Sequence, residues 1–269
     1  MSDAGDLAAR LWPLYARHAE VVFAGGPAPK LVVERRWFLA TSGSPHVDLN
    51  QAVLFGGATA ADVEALGAAA TEADVPILLG CSAGAGQGLD EPLASAGFVP
   101  LPSAEYSFHL PGVPRSLPDP PPFTVRRIES DPDLQAMQAM FLEVHGYGPD
   151  LTEGLHVRPI RSGAISGWLA WDGAEPVSFA IVTRVEASLS LWEVMTPARH
   201  RRRGAGRAIV VEALRSAAAA SPEPITETLF WSSPAGKPLY DALGFQVVDS
   251  IRAWARGASD EDLAAVGAL

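Results

Sequence analysis

The sequence predicts a mixed α/β fold, with layers of helix on sheet, built as two units. Three observations carry that expectation. The chain has 269 residues, more than the roughly 100–150 that one domain usually needs. A proline-rich segment, HLPGVPRSLPDPPPF at 109–123, interrupts it; proline fixes φ and removes backbone donors, so neither helix nor central strand passes through. Strand-like and helix-like runs recur in a similar order on both sides. The expected division is a domain over 1–110, a linker over 111–122 and a second domain over 123–269.

The elements follow from local pattern. In the first half, NQAVLFGGATAADVEALGAAATEADVPILL reads as a strand, a turn at Gly56-Gly57, a helix and a second strand. In the second half FTVRRI (123–128) alternates as a strand does, and Asp131-Pro132 opens a helix reaching about Val144. The Gly/Pro-rich loop HGYGPDLTEG follows. Three runs rich in β-branched and aromatic residues, 165–171, 176–186 and 188–195, read as strands. From Gly204 to about Ala220 the chain is a strong helix former, apolar at Ala208, Val211, Ala213 and Leu214. ITETLFW (225–231) is a strand, PAGKPLYDAL a short helix, and FQVVDSIRAWAR closes the pattern as a last strand or pair. The segment 75–101 can be laid on 226–248 with its strands, serines and Gly-Phe turns in step, which hints at a duplicated architecture.

Composition narrows the function. A hydrophobic fraction of 48% supports real cores. Cys81 is the lone cysteine, which excludes an intrachain disulfide and any multi-cysteine metal site; no metal is expected. The net charge of −11 and two acidic halves disfavour nucleic acid and anionic membranes as partners. No stretch reaches the roughly 18 apolar residues of a membrane span, and the N-terminal MSDAGDLAARLW lacks a signal peptide's basic and apolar regions. The expectation is a cytoplasmic protein, monomer or homodimer.

The most informative segment is LWEVMTPARHRRRGAGRAIVVEAL, 191–214. A strand ends near Thr196, Pro197 stops its pairing, and a helix opens at Gly204. Arg199, Arg201, Arg202, Arg203 and Arg207 surround the turn, a local inversion of charge on an acidic protein. Glycines at 204 and 206 let backbone amides approach a ligand, and a helix N-terminus offers free N–H donors with partial positive charge. That combination suits a phosphate or pyrophosphate. The dinucleotide fingerprint GxGxxG fails at Ile209, and no GxxxxGK[ST] is present.

Arg201-Arg202-Arg203-Gly204-Ala205-Gly206 resembles the acetyl-CoA loop Q/R-x-x-G-x-G/A of the GNAT N-acetyltransferase superfamily. Pro238-Leu239-Tyr240-Asp241-Ala242-Leu243-Gly244-Phe245 is similar to that family's LYExLGF helix and turn. The resemblance covers about 123–256 and implies two GNAT-like domains, the first degenerate, each a mixed, mostly antiparallel sheet flanked by helices. It further implies that acetyl-CoA lies in a gap between splayed strands. There the backbone of Val194, Met195 and Thr196 would pair with pantetheine, and the loop from Arg201 through Arg202, Arg203, Gly204, Ala205 and Gly206 to Arg207 would hold the pyrophosphate. Ser233 would touch the cofactor, and Tyr240 would protonate the departing thiolate. Glu193 is the first candidate for a base acting through water, and Glu227 the second. His145, Tyr147 and Asp150 sit where the family's first helices shape the acceptor pocket.

The first half has no Q/RxxGxG loop and no arginine cluster, and Ala94 stands opposite Tyr240, so this copy is not expected to hold CoA. Gly80-Cys81-Ser82-Ala83-Gly84 matches the G-x-S-x-G nucleophile elbow, but AGAGQGLDEPL after it is a poor helix former. The function expected is acetyl transfer from acetyl-CoA to a primary amine of a small molecule or peptide by direct attack. The alternatives are a non-catalytic acyl-CoA-binding or regulatory protein and a mycothiol-synthase-like transferase.

Overall fold

In a computed structural model of the chain, residues 3–117, 122–259 and 263 are described. In chain order the elements begin with α1 (Asp3–Phe23), β1 (Lys30–Val33), β2 (Trp37–Thr41), β3 (Asn50–Leu54), α2 (Ala60–Ala73), β4 (Ile77–Ser82), α3 (Asp90–Ser95) and β5 (Val99–Pro111). After the proline-rich stretch come β6 (Thr124–Arg127), α4 (Asp131–His145), α5 (Pro149–Thr152), a π-turn (Glu153–Val157) and α6 (Arg158–Ser162). The chain continues with β7 (Ser166–Asp172), β8 (Glu175–Val185), β9 (Ser188–Met195), α7 (Ala205–Ala219), β10 (Glu227–Ser232), α8 (Lys237–Ala242) and β11 (Gln246–Arg256). Among the described residues no helix is long and apolar enough to cross a membrane.

Two compact units emerge, and they are not consecutive in the chain. One gathers Met1–Phe108, Trp231–Lys237 and Val247–Leu269; the other gathers His109–Phe230 and Pro238–Gln246. This grouping differs from the division expected at 111–122, because the last strand pairs with the first half. The physical reason is pairing. β11 lies antiparallel to β4 over six residue pairs, from Ile251↔Ser82 to Arg256↔Ile77. Linker residues 118–121 lie outside the described residues.

The first unit orders its strands β1-β2-β3-β4-β11-β5. The β1–β2, β2–β3 and β4–β11 pairs are antiparallel, while β3–β4 is parallel. Leu39, Ala52, Leu54, Leu66, Leu79, Phe98 and Trp254 fill its main core. Gly80 has a packing reason: a Cβ there would meet Trp231 at 2.9 Å and Ile251 at 2.8 Å. Asp249, buried on β11, accepts from the indole of Trp12 at 2.9 Å, from the Ala83 amide at 3.0 Å and from the Ser82 hydroxyl.

The second unit runs β10-β9-β8-β7-β6. Its β6–β7, β7–β8 and β8–β9 pairs are antiparallel and β9–β10 is parallel. Each unit thus has the mixed, mostly antiparallel sheet flanked by helices that was expected. Helix α7 lays Ala208, Ile209, Val211 and Leu214 against the sheet, where they are buried. Helix α4 starts at a capping box made by Ser130 and Asp133, one residue before the Asp131-Pro132 start read from sequence, and ends at Gly146 with φ +73.

Candidate functional site

The second unit's parallel pair sets the geometry. Partners run only from Glu227↔Ser188 through Thr228↔Leu189 to Leu229↔Ser190. Beyond them β9 continues to Met195 with no β10 partner in that register. On its other edge β9 stays attached to β8, and there it carries an extra residue. Ile181 faces Trp192, but Phe179 faces Met195, so two steps on β8 match three on β9. Glu193 lies in this bulge with φ +51. A bulge of this kind bends a strand and re-aims a side chain.

The strand's end is then fastened. The Ser178 hydroxyl donates to the Met195 carbonyl at 2.8 Å and lies 2.9 Å from the Thr196 hydroxyl. Arg201 Nε donates to the Thr196 carbonyl at 3.0 Å. Two of the three backbone positions expected to meet a cofactor, Met195 and Thr196, therefore already have one partner each on their carbonyls; Val194 lies between the bulge and this clasp.

Past Pro197 the chain makes a short 3-10 turn and then a loop with two left-handed residues, Arg202 at φ +65 and Gly204 at φ +93. Helix α7 begins directly after, its Ala208 amide donating to the Gly204 carbonyl at 3.0 Å. Among the described residues, the amides from Arg202 to Arg207 donate to no other part of the backbone. Successive N–H groups in such a turn form a concavity suited to an anion, and the helix dipole adds to it. A methyl at Gly206 would stand 3.5 Å from Thr196 Oγ1 and 3.6 Å from Leu239, so α7, the end of β9 and α8 converge there.

The arginines divide by role. Arg199 is ion-paired with Glu143 and lies 3.6 Å from Glu175, and Arg203 holds Asp172 at 2.6 Å. Arg202 and Arg207 are exposed, and among the described residues neither has an ion-pair partner. The cationic field of the loop thus rests mainly on Arg201, Arg202 and Arg207.

Tyr240 on α8 is 5% exposed, its ring 4.4 Å from Phe230 and 6.0 Å from Phe245. Glu193 is met by His145, the last residue of α4, with Nε2 3.8 Å from the carboxylate. Tyr147 is buried behind His145, and Asp150 is exposed on α5. Glu227, the second base candidate, sits at the opposite end of β10 from the open edge, 3.4 Å from His109. Ser233 falls in the first unit and is not counted with this site. Among the described residues no cluster of side chains suited to a metal occurs.

The first unit repeats the strand–loop–helix arrangement and closes it. β3 and β4 stay paired from Gln51↔Leu78 to Leu54↔Cys81, the full length of β3 beyond Asn50. The Gly57 amide donates to the Gly84 carbonyl at 2.7 Å, and the Gly86 amide donates to Ala58 at 3.0 Å. A Cβ at Gly86 would stand 2.2 Å from that Ala58 oxygen. Helix α2 carries its own anion: Asp62 accepts from the Thr59 amide and hydroxyl, each at 2.7 Å. Burial alone would raise the Asp62 carboxyl; the bonds from Thr59, with the Arg36 guanidinium, hold it below its ordinary value. The serine of the G-x-S-x-G match is 4% exposed and tied to Asp249, with no histidine bonded to it among the described residues.

No family model matches the sequence, and no curated protein matches it. Solved structures do. A GCN5-related N-acetyltransferase from Kribbella flavida aligns at 18% identity over 91% of this chain and 96% of its own, with a TM-score of 0.60. A GCN5-related N-acetyltransferase from Sphaerobacter thermophilus aligns at 14% identity over 84% of this chain and 79% of its own, TM-score 0.58. A tandem GNAT protein from the clavulanic acid biosynthesis pathway aligns at 15% over 89% and 88%, TM-score 0.55. Matches spanning most of both chains show that this chain shares the fold of GCN5-related N-acetyltransferases.

Proposed function

We propose that the protein transfers the acetyl group of acetyl-CoA to a primary amine of a small molecule or peptide, using its second unit. The observation that carries this reading is the run of unengaged amides from Arg202 to Arg207 beside the unpaired edge of β9. A pyrophosphate fits such a cradle. Charge-assisted hydrogen bonds of this type contribute on the order of 1.5–3 kcal/mol each, and Arg202 and Arg207 add exposed positive charge. The pantetheine arm would lie along Val194, Met195 and Thr196 as an added strand. The GNAT fold of the solved neighbours favours this ligand over another anion.

Acetyl-CoA supplies an activated thioester carbonyl. The chain's part is to place that carbonyl at the splay, to take a proton from the amine and to return one to the thiolate. An aliphatic ammonium is neutral about one time in a thousand at pH 7, a penalty of about 4 kcal/mol that a nearby base reduces. Glu193 stands next to Val194, where such a base is needed. Tyr240, on the helix that packs beside Gly206 and Thr196, is the proton donor to sulfur.

The closed loop of the first unit supports a non-catalytic role for that copy. Its Gly57 and Thr59 amides are engaged by Gly84 and Asp62, and its strands do not part. The test is calorimetry with acetyl-CoA on the full chain, followed by turnover over a panel of amines. One cofactor per chain, product amide and loss of turnover in Tyr240→Phe are expected. Tight binding with no turnover of any amine would assign the protein to acyl-CoA binding instead.

A further inference from the structure

The bulge of β9 brings together two side chains that sequence separates by 48 positions. Glu193 leaves the strand's alternation at φ +51, and His145 ends α4 with its Nε2 3.8 Å from the Glu193 carboxylate. Both are largely enclosed, at 12% and 17% side-chain exposure for His145 and Glu193, which strengthens their attraction relative to a surface pair. The imidazole is held flat. Its ring stacks on Tyr147 at 5.1 Å and 17°, and Tyr147 stacks on Phe141 at 6.1 Å and 18°. On Phe141 lies a second histidine, His156, at 4.3 Å and 25°.

The two histidines differ in what they can do. His156 is fully enclosed in the π-turn, and neither of its ring nitrogens has a hydrogen-bond partner among the described residues. Burial first, and the neighbouring His145 second, push it down to about 3. It is a neutral wall of the site at any physiological pH. His145 has an acid partner and a partly open edge. The groups that face it include Glu193 from β9, Tyr147 from the loop after α4 and His156 from the π-turn; Glu143, on its own helix, is paired with Arg199.

We propose that the imidazole of His145 is the proton acceptor for the incoming amine, with Glu193 as its positioning and charge-stabilising partner. This rests on the acetyl-transfer reading above. One proton of the R–NH3+ group passes to His145, giving an imidazolium against the Glu193 carboxylate. The freed nitrogen lone pair attacks the thioester carbonyl, a C–N bond forms and the C–S bond breaks. The thiolate takes a proton from Tyr240, whose phenolate is replenished by the second proton shed from nitrogen. Imidazolium returns its proton to water. The closed balance is ammonium plus acetyl thioester giving amide, thiol and one proton.

The experiment is the pH dependence of kcat/KM for an amine from the panel, between pH 6 and 10, in the full-length protein. His145→Gln is expected to lose about 100-fold at pH 7, the low end for general-base catalysis, with acetyl-CoA affinity unchanged. Glu193→Gln is expected to lose less and to move the rising limb to lower pH, because an imidazolium without its carboxylate releases its proton sooner. Nitrogen-15 imidazole NMR of wild type and Glu193→Gln reads the same displacement directly and holds even where His145→Gln folds poorly. A His145→Gln enzyme with the wild-type rate and limb, or a His145 titration unmoved by Glu193→Gln, would overturn the assignment. A wild type that binds acetyl-CoA yet acetylates no amine would overturn the transfer reading itself, and the base with it.

Discussion

Gly204 is the position where a single atom group tests the cofactor loop most sharply. Its φ of +93 is left-handed, and an added Cβ would find only Phe123, at 4.0 Å, so space is not limiting. Two substitutions separate strain from charge. Gly204→Ala forces a left-handed alanine, a cost of about 1–2 kcal/mol, which should appear as lower stability with affinity reduced no more than about tenfold. Gly204→Asp tolerates that backbone better, but it places a carboxylate in the concavity formed by the Arg202–Arg207 amides. At about 4 Å from a pyrophosphate charge, and an effective dielectric near 20, the repulsion is about 4 kcal/mol, or roughly a 1,000-fold loss of affinity. Calorimetry with acetyl-CoA at fixed ionic strength, paired with urea unfolding of each variant, measures both quantities. If Gly204→Asp binds acetyl-CoA within threefold of wild type, the loop is not the pyrophosphate site.

Three further outcomes follow from the first unit and from the way strands are shared along the chain. Trp12→Phe removes one of three donors to buried Asp249 and should cost about 1–3 kcal/mol in urea unfolding; a loss under 0.5 kcal/mol would show that the bond carries no net stability. Burial pushes the Glu105 carboxyl up to about 7, so between its usual 4.5 and 7 the native state keeps a proton that the unfolded chain releases. Stability therefore falls as pH rises through that window, by about 3 kcal/mol at most, and Glu105→Gln should remove that slope; equal slopes for the two proteins would contradict it. Residues 123–269 expressed alone carry β11 without β4, its partner over six residue pairs. That fragment should be insoluble or lack a cooperative transition by circular dichroism, and a folded monomer would contradict the division of units.

Local physics made the elements legible, and it also limited them. Alternation in LWEVM and TETLFW marks strands because one face of each must be buried, and the glycines before AIVVEAL mark a helix start because side chains there would block the amides. Alternation does not say which strand is the neighbour. The pattern in 246–256 is satisfied equally by β10 or β4, so β11's place could not be read. The same limit hid the role of Arg199 and Arg203, whose carboxylates, Glu143 and Asp172, stand 56 and 31 positions away. The sequence points to Glu193 as a base and to His145 as part of an acceptor pocket, but to nothing that joins the two. What joins them is an extra residue in one strand, and a bulge has no composition signature in a run of apolar residues. Glu227 lies away from the open edge for a simpler reason: on a six-residue strand it sits at the paired end.

The two halves together show how such a loop can be left open to a ligand or closed by its own chain. Both have a strand, a turn with left-handed glycine and a helix start, and both therefore present backbone amides at the positive end of a helix dipole. Presenting amides is not enough, because a chain can satisfy them itself. In the first unit Asp62 takes the Thr59 amide and the Gly84 carbonyl the Gly57 amide, each at 2.7 Å, and the parallel strands beside them remain paired. An incoming pyrophosphate would have to displace a carboxylate already held by two short bonds, and a pantetheine arm would have to part a formed ladder. In the second unit neither competitor is present at the loop: the amides from Arg202 to Arg207 are left over by the fold, and the β9 edge opens three residues in. Such amides are open to water at an exposed helix start, and they remain available to a ligand. They lie beside Arg202 and Arg207, which are exposed and have no ion-pair partner among the described residues, so this half and not the other fits the proposed polyanionic ligand.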